Sequence, residues 1–301
     1  MANAFSLSIS NVATVAAKLV GADFNLASLI STDAAAEFAP GKGSTIRVPV
    51  PGAIPTHTRG IYDRTTALVA DELSEQHIEV KLTDHVYNLA ILSEGDLSLD
   101  IADYARQVLS PQTRAIAAKV EALVASTMSA TPSTALAYAA ATPAKAFTAA
   151  RRTLRDNGVP ADARLLAAVG SNVYADLLDG PDRTFDADGK VRGFEVIEST
   201  RLDPDDIVAF IPSAFTLVTR APIVPDGAAH GASIATPILD DQRGASFAAR
   251  VLNDYDSNVA ADRSLVSSFV AVAAMPLPVD REDGTVDLVA HGGAVRIATG
   301  A

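Results

Sequence analysis

The side chains best suited to hold a ligand lie in Thr184-Phe-Asp186-Ala-Asp188-Gly189-Lys-Val191-Arg-Gly-Phe-Glu195. A calcium loop places oxygen ligands at its first, third and fifth positions, glycine at the sixth for the sharp turn, and a bidentate glutamate at the twelfth. Gly189 and Glu195 fall where that pattern wants them, with apolar Val191 at the eighth position. Thr184, however, offers a hydroxyl where the first carboxylate belongs, and the segment leaving the loop reads as a strand. Asp188-Gly189 is also a strong hairpin signal, because both residue types accept the positive φ of a tight turn. A turn is the favoured reading and calcium the alternative.

Other chemistry fails at required positions. Ala39-Pro-Gly-Lys-Gly-Ser44 has the glycines and lysine of a phosphate cradle, but Ala36 stands where its first glycine belongs and Gly43 where a hydroxyl must follow Lys42. Gly231-Ala-Ser233-Ile-Ala235 and Gly244-Ala-Ser246-Phe-Ala248 lack the last glycine of a nucleophile elbow, and neither sits at a strand-to-helix turn. His57, His77, His85, His230 and His291 are scattered without ligand spacing, and cysteine is absent, which excludes disulfides and thiolate-held metals. Asp203, Asp205 and Asp206 around Pro204 read as a solvated turn, and Arg151, Arg152 and Arg155 as a solvated helix face. No metal, cofactor or catalytic residue is assigned.

At 301 residues the chain can build a sizeable core, in one large domain or two smaller ones. It is 49% hydrophobic and 20% charged, with mean hydropathy +0.21. That is apolar for a protein whose whole surface meets water, and fits burial against neighbouring subunits as well as simple alanine richness. A net charge of −12 argues against gripping nucleic acid, since neutralising phosphates takes a basic face. The N-terminal stretch has no leading basic region, and no apolar run approaches the ~20 residues of a membrane helix. No membrane partner is expected.

A short N-terminal helix is expected, capped by Ser8 or Ser10, with Ile9, Val12, Ala16 and Leu19 on one face and Gly21 at its exit. So short a helix must dock its apolar face on something. Ile46, Val48 and Val50 alternate as a strand, and Ile78, Val80 and Leu82 as another, followed by an acidic turn at Thr83-Asp84. The long polar stretch 51–75 between them reads as a projecting two-stranded flap. Residues 93–130 read as the main helix, with Asp96 and Asp100 biasing charge toward its start and a restart at Pro111 capped by Ser110 expected within it. Further helices are expected over Ala144–Asp156 and over Ser171–Leu178, the latter capped by Ser171. Strands are expected over Arg164–Val169, Phe194–Glu198, Ile207–Ile211 and Phe215–Arg220. Residues 222–243 read as a loop. Ser246–Asn253 and Leu265–Met275 read as a closing pair of strands, and 276–301 as a surface tail with one or two short strands.

The order of GKGSTIRVPVPG (41–52), the flap, the segment 76–128, the stretch VPADARLLAAVGSNVYADLL (159–178) and VRGFEVIESTRL (191–202) resembles the major capsid protein of tailed bacteriophages. The resemblance covers about residues 40–275. It implies an α+β chain with the Hong Kong 97-type shell fold, divided as an N-terminal arm (1–43), an E-loop with flanking strands (44–92), a spine helix and peripheral domain (93–145), an axial domain (146–244), return strands of the peripheral domain (245–280) and a C-terminal tail (281–301).

The function so implied is assembly instead of catalysis: hexamers and pentamers closing an icosahedral shell around double-stranded DNA, without sequence-specific binding. It implies a virion location after assembly in the host bacterial cytoplasm. A separate scaffolding protein is expected, because the arm begins almost at Met1, and a portal would complete the particle. Intersubunit contact is expected at Arg59 and Arg64 of the flap, pairing with a neighbour's acids, and docking of the arm through Ile9, Val12 and Leu19. Some members weld their shells by an isopeptide bond from an E-loop lysine, but no lysine lies between Lys42 and Lys81. Two other readings stay open: an encapsulin-type nanocompartment shell and an α/β enzyme.

Overall fold

The computed structural model describes residues 9–32, 43–50, 52, 54–72, 75–93, 104–136, 138–180, 185, 189–226, 228, 230–237, 246–257, 260–281 and 284–298. Most of Thr184–Glu195 through Asp188, with Asp96, Asp100 and Lys42, lies outside the described residues.

Two strands, β1 (Thr45–Val50) and β2 (Gln76–Lys81), pair antiparallel and form the base of the flap. They leave the body beside a small apolar cluster of their own, Val80 and Val218, with Val48, Leu82, Ala273 and Met275 packed around it. After the turn at Leu82-Thr83 the chain enters β3 (Asp84–Ser93), which pairs antiparallel with β11 (Ala261–Ala274). The run His-Val-Tyr-Asn-Leu-Ala-Ile-Leu (85–92) does not alternate apolar with polar residues. A near-continuous apolar run is how a strand reads when both its faces are apolar.

Strand β11 continues into β10 (Ser246–Asp256), and β10 into β9 (His230–Pro237); β8 (Phe215–Arg220) pairs with the far half of β11. The Pro/Gly/Ala-rich stretch 222–243 is therefore not all loop. Small residues blunted the strand signal of β9, and backbone pairing with β10 supplies what the side chains do not. Strand structure also reaches beyond the expected Ser246–Asn253 and Leu265–Met275, since β10 runs on to Asp256 and β11 begins at Ala261.

Helix α1 (Ile9–Ala22) and helix α2 (Ser110–Ser129) lie on one face of this sheet: α1 packs on β9, β10 and α2, and α2 on β11 and β3. The buried stripe of α1 is Ala13, Ala16, Ala17 and Val20, one step round from the expected one. Val12 and Leu19 are half-buried at its margin, and the Ile9 side chain lies outside the described residues. Alanine lets the helix approach the strands closely, so the small residues face inward and the larger ones flank them.

The expected restart at Ser110 is corrected. A π-helical turn (Ala105–Leu109) runs straight into α2, and Leu109 has helical φ and ψ of −67° and −42°. Proline lacks the N–H for a bond to the preceding turn and its ring crowds that turn; the wider π turn accommodates both. The buried face of α2 includes Ile116, Val120, Val124 and Met128, together with the polar Gln112, Thr113 and Glu121.

The second sheet has the order β14-β7-β4-β6-β5. Its strands are β4 (Leu165–Val169), β5 (Lys190–Val191), β6 (Phe194–Glu198), β7 (Asp206–Phe210) and β14 (Ala294–Ala298). Every residue of β4 and of β7 is buried. Helix α3 (Ala144–Asp156) packs on β7 and β14 through its apolar side, which includes Phe147, Ala150 and Leu154. Helix α4 (Ser171–Asp179) follows β4; Gly170 is the extended residue before it and Ser171 its first helical residue, so the expected Ser171 cap is not made.

A hairpin of β12 (Leu277–Asp280) and β13 (Val286–Val289) precedes β14. The surface-tail reading of 276–301 is therefore corrected: Val295 and Ile297 are buried in the second sheet, paired against β7. A five-residue strand among turns carries too little periodicity to show which surface it joins.

Candidate assembly surfaces

Among the described residues the flap beyond β1 and β2 has no apolar core, and polar side chains give it shape. The His57 ring Nε2 meets Asp71 Oδ2 at 2.8 Å, Arg59 Nη1 donates to the Thr66 carbonyl at 2.9 Å, and at the tip the Asp63 amide donates to the Gly60 carbonyl at 3.0 Å. Asp63 Oδ1 accepts from the Thr65 amide and hydroxyl, each at 2.8 Å, and its other oxygen accepts from the Thr66 hydroxyl. The Thr66 hydroxyl foremost, then the Thr65 amide, hold the Asp63 carboxyl well below the usual carboxylate range. A turn built on those bonds is present above the ordinary carboxylate pKa and loosens only in strong acid.

What the flap displays is apolar. Ile61 and Tyr62 at the tip are 94% and 93% exposed, and Ile54, Leu68 and Val69 are exposed along its limbs. Arg64 is exposed and makes no ion pair or hydrogen bond among the described residues, whereas Arg59 is engaged within the flap.

A second apolar surface lies on the first sheet, opposite the helices. Residues directly opposed on antiparallel strands point to the same face. Tyr87 opposes Ser267, Leu89 opposes Leu265, which opposes Leu252, and Ile91 opposes Arg263. The other face is fixed by Ser264, whose hydroxyl and carbonyl bond Gln112 of α2 at 3.1 and 2.8 Å and whose Oγ accepts from Tyr104 at 2.6 Å. On the open face Tyr87 and Ile91 are 63% and 62% exposed, beside exposed Leu89. His85 extends the patch, 5.0 Å from the Phe269 ring and 5.4 Å from Tyr87. Burial, and then the nearby Arg250 guanidinium, push its pKa below the ordinary histidine value. At neutral pH the patch is thus uncharged at this position. Along β3 a solvated face would carry polar residues, and this one carries Tyr87, Leu89 and Ile91; on the neighbouring strands the face turns polar, with Arg263 paired to Asp254 and Asp256.

The arm reaches the body through a carboxylate. Glu121, buried on α2, accepts the backbone N–H groups of Asn25 and Ala27 at Oε1 (2.8 and 2.9 Å) and of Leu26 at Oε2 (3.1 Å). A polar cleft of about 370 Å³ lies beside it, lined by Asn25, Arg114, Ser199 and Arg201 among others. Sequence reasoning missed this residue, because an acid within a helical stripe looks like an interruption of the apolar face.

The remaining polar candidates are structural. Asp206 is corrected: it is buried, not solvated, and meets Arg296 of β14 from both carboxylate oxygens, with the Arg296 Nε–Oδ2 and Nη2–Oδ1 bonds at 3.0 and 3.2 Å. Arg296 Nη1 also donates to the Ser129 carbonyl at the end of α2 at 2.8 Å. Of the expected solvated arginines, Arg151 donates to the Arg192 carbonyl and Arg155 to those of Val159 and Ala161; Arg152 faces Asp156 at 3.5 Å. Both glycine–serine motifs fall in or at the start of strands, Ser233 in β9 and Ser246 in β10. The histidines do not converge, and among the described residues no group of three acids, histidines or cysteines could hold a metal. No described helix is long and apolar enough to cross a membrane.

No protein-family model matches the sequence, and no curated relative does. Solved structures do match, over nearly the whole chain. A chain from Mycobacterium phage Che8 superposes with TM-score 0.61 at 15% identity, covering 92% of each chain. The cyanophage A-1(L) capsid asymmetric unit gives 0.56 at 12% identity, over 99% of this chain and 95% of that one. A virus-like particle from Pyrococcus furiosus gives 0.54 at 12% identity, over 98% and 100%. At such identities what is shared is the overall fold. The chain has the α+β Hong Kong 97-type fold, as its sequence resemblance implied.

Proposed function

We propose that this chain is a major capsid protein, the repeating subunit of an icosahedral shell built of hexamers and pentamers around double-stranded DNA. The observation that supports this best is the pair of unpartnered apolar surfaces on one chain, the flap tip and the open face of β3. Two complementary patches at different places on a subunit make head-to-tail contacts, and such contacts close into rings when the rotation allows. In this reading the flap is the E-loop, α1 belongs to the arm, α2 is the spine helix, and the second sheet with α3 and α4 forms the axial domain. The net charge of −12 suits a wall that does not grip the genome it encloses. A separate scaffolding protein and a portal complete the proposal, with assembly in the host bacterial cytoplasm and residence in the virion.

Imaging of the purified protein with nucleic-acid absorbance at 260 nm is the test. Closed particles containing DNA support the proposal. Particles filled with a protein cargo would make the chain an encapsulin-type nanocompartment, and a compact ~31 kDa monomer at high concentration with scaffold supplied would overturn both.

Arg59 and Arg64 are proposed to set the register of the flap on a neighbour's acids; such rim pairs each contribute about 1 kcal/mol or less and steer more than they hold. Reversing both to glutamate is expected to impair shell formation while the subunit's circular dichroism stays the same. Because Arg59 also ties the flap internally, Arg64→Glu alone is the sharper variant, and normal shells from it would refute the pairing. With no lysine between Lys42 and Lys81 and no cysteine, the flap cannot supply the amine of an isopeptide bond or the thiol of a disulfide. Particles boiled in SDS are expected to run as one band near 31.1 kDa, and a covalent ladder would contradict this.

A further inference from the structure

The β12–β13 hairpin touches the flap on both of its limbs. On one, a Cβ placed on Gly284 would stand 2.2 Å from Cδ and 2.7 Å from N of Pro55, at the root of the outgoing limb. On the other, the Gln76 side-chain amide, at the start of the returning strand β2, donates to the Val286 carbonyl at 2.9 Å. The turn joining β12 to β13 is itself closed by the Gly284 amide on the Arg281 carbonyl (3.0 Å), the Arg281 amide on the Thr285 carbonyl (2.9 Å) and an Arg281–Asp287 ion pair.

The opposite side of the hairpin is seated on the α/β unit. A Cβ on Gly158, at the end of α3, would meet Val279 Cγ2 at 2.8 Å, so Val279 fills the space that glycine leaves. Leu277 is buried, and the Asn157 side chain donates to the Gly292 carbonyl, 3.2 Å away, just past β13. Another attachment of the flap to the body, among the described residues, is the small cluster around Val80 and Val218. A cluster of that size resists separation but sets direction poorly, because apolar contact is not directional.

We infer that the β12–β13 hairpin is a bracket that fixes the angle of the flap relative to α3 and the second sheet, with Gly284 and Gln76 as its positioning residues. Gly284 permits the close approach; a side chain there meets the ring and backbone of Pro55, neither of which can rotate aside, so the flap root must move. Gln76 supplies the directional bond on the other limb. Any tilt of the α/β unit is thereby carried to the flap tip through a contiguous run of backbone.

The native chain has no cysteine, so a pair introduced at two exposed positions, Tyr62→Cys at the tip and Lys145→Cys on α3, can be spin-labelled without background. Labelled full-length chain diluted in unlabelled chain reports the intrachain distance alone, whether or not shells form. The parent pair is expected to give one narrow distance distribution. Adding Gly284→Ala is expected to shift its maximum, and adding Gln76→Ala to broaden it, with circular dichroism unchanged. Gln76 is exposed, so its variant folds even if Gly284→Ala does not. A distribution unmoved and unbroadened by Gln76→Ala, or a parent distribution already as broad as the variants', would overturn the inference.

Discussion

Replacing Glu121 with alanine is expected to destabilise the chain by about 3 kcal/mol, the loss concentrated where the arm joins the body. The Glu121 carboxylate accepts three successive backbone N–H groups, at Asn25, Leu26 and Ala27. A buried donor left without an acceptor costs roughly 1–3 kcal/mol. The neighbouring polar cleft can admit water to some of these groups, which puts the total near the low end of three such losses. Glu121→Gln keeps one acceptor oxygen but turns an NH2 group towards backbone donors, so it is not expected to rescue. The check is a urea melt read by fluorescence or circular dichroism, with the midpoint falling and the slope constant. Limited proteolysis of the folded variant should then cut in residues 9–32 well before the second sheet. A midpoint shift worth less than about 0.5 kcal/mol, the range of ordinary surface substitutions, would show that the three bonds are replaced at little cost.

Asp206→Ala is expected to cost a similar amount, about 3 kcal/mol, for a different reason. Asp206 and Arg296 pair inside the second sheet, and removing the acid leaves a guanidinium facing the interior; breaking one partner of a buried pair costs roughly 3–5 kcal/mol. The Arg296 side chain retains 23% exposure, which sets the expectation at the lower end. Replacing both, as Asp206→Leu with Arg296→Met, is expected to restore most of the stability, since well-packed apolar pairs often match buried ion pairs. A double-mutant cycle by denaturant melting separates the two contributions. If the double variant is as unstable as the sum of the singles, the pair is not coupled and the Arg296 bond to Ser129 is what matters.

The parts of this fold that were legible in the sequence are those with strong local periodicity. Helix α3 and the alternating flap strands lie where their pattern puts them, because each buries one clear face; β6 and β8 lie over their expected ranges, β8 as a run buried on both faces. The misses share a cause: their identity depends on partners far along the chain. Strand β9 is small and glycine-containing, and exists because β10 offers it a ladder. Strand β14 follows a hairpin and is drawn into the core by β7. Asp206 and Glu121 read as a surface acid and a flaw in a stripe, since nothing local reveals a guanidinium or three amides waiting across the fold. The flap was recognisable as a projection, but its ties through His57, Asp63 and Arg59 involve side chains whose pairing length and polarity alone do not specify. The apolar face of β3 was present in the letters HVYNLAIL, and a two-sided apolar strand in a sheet with helices on one side is itself an assembly signal.

The pairing of β3 with β11 also sets a clock on biosynthesis. About 170 residues separate the two strands, and helix α2 needs β11 as well for its buried face. At roughly 5–20 residues per second, some 8–34 seconds pass between the emergence of one strand and that of its mate. Through that interval a nascent chain carries the unpaired backbone edge of β3, the Val86 side chain and the inner side of α2 without cover, on a ribosome whose neighbours carry the same. Long-range pairing of this kind folds slowly and invites contact between unfinished copies. The chain is therefore most open to mispairing with its own copies before β11 emerges, and sparser initiation of translation is expected to raise the folded yield.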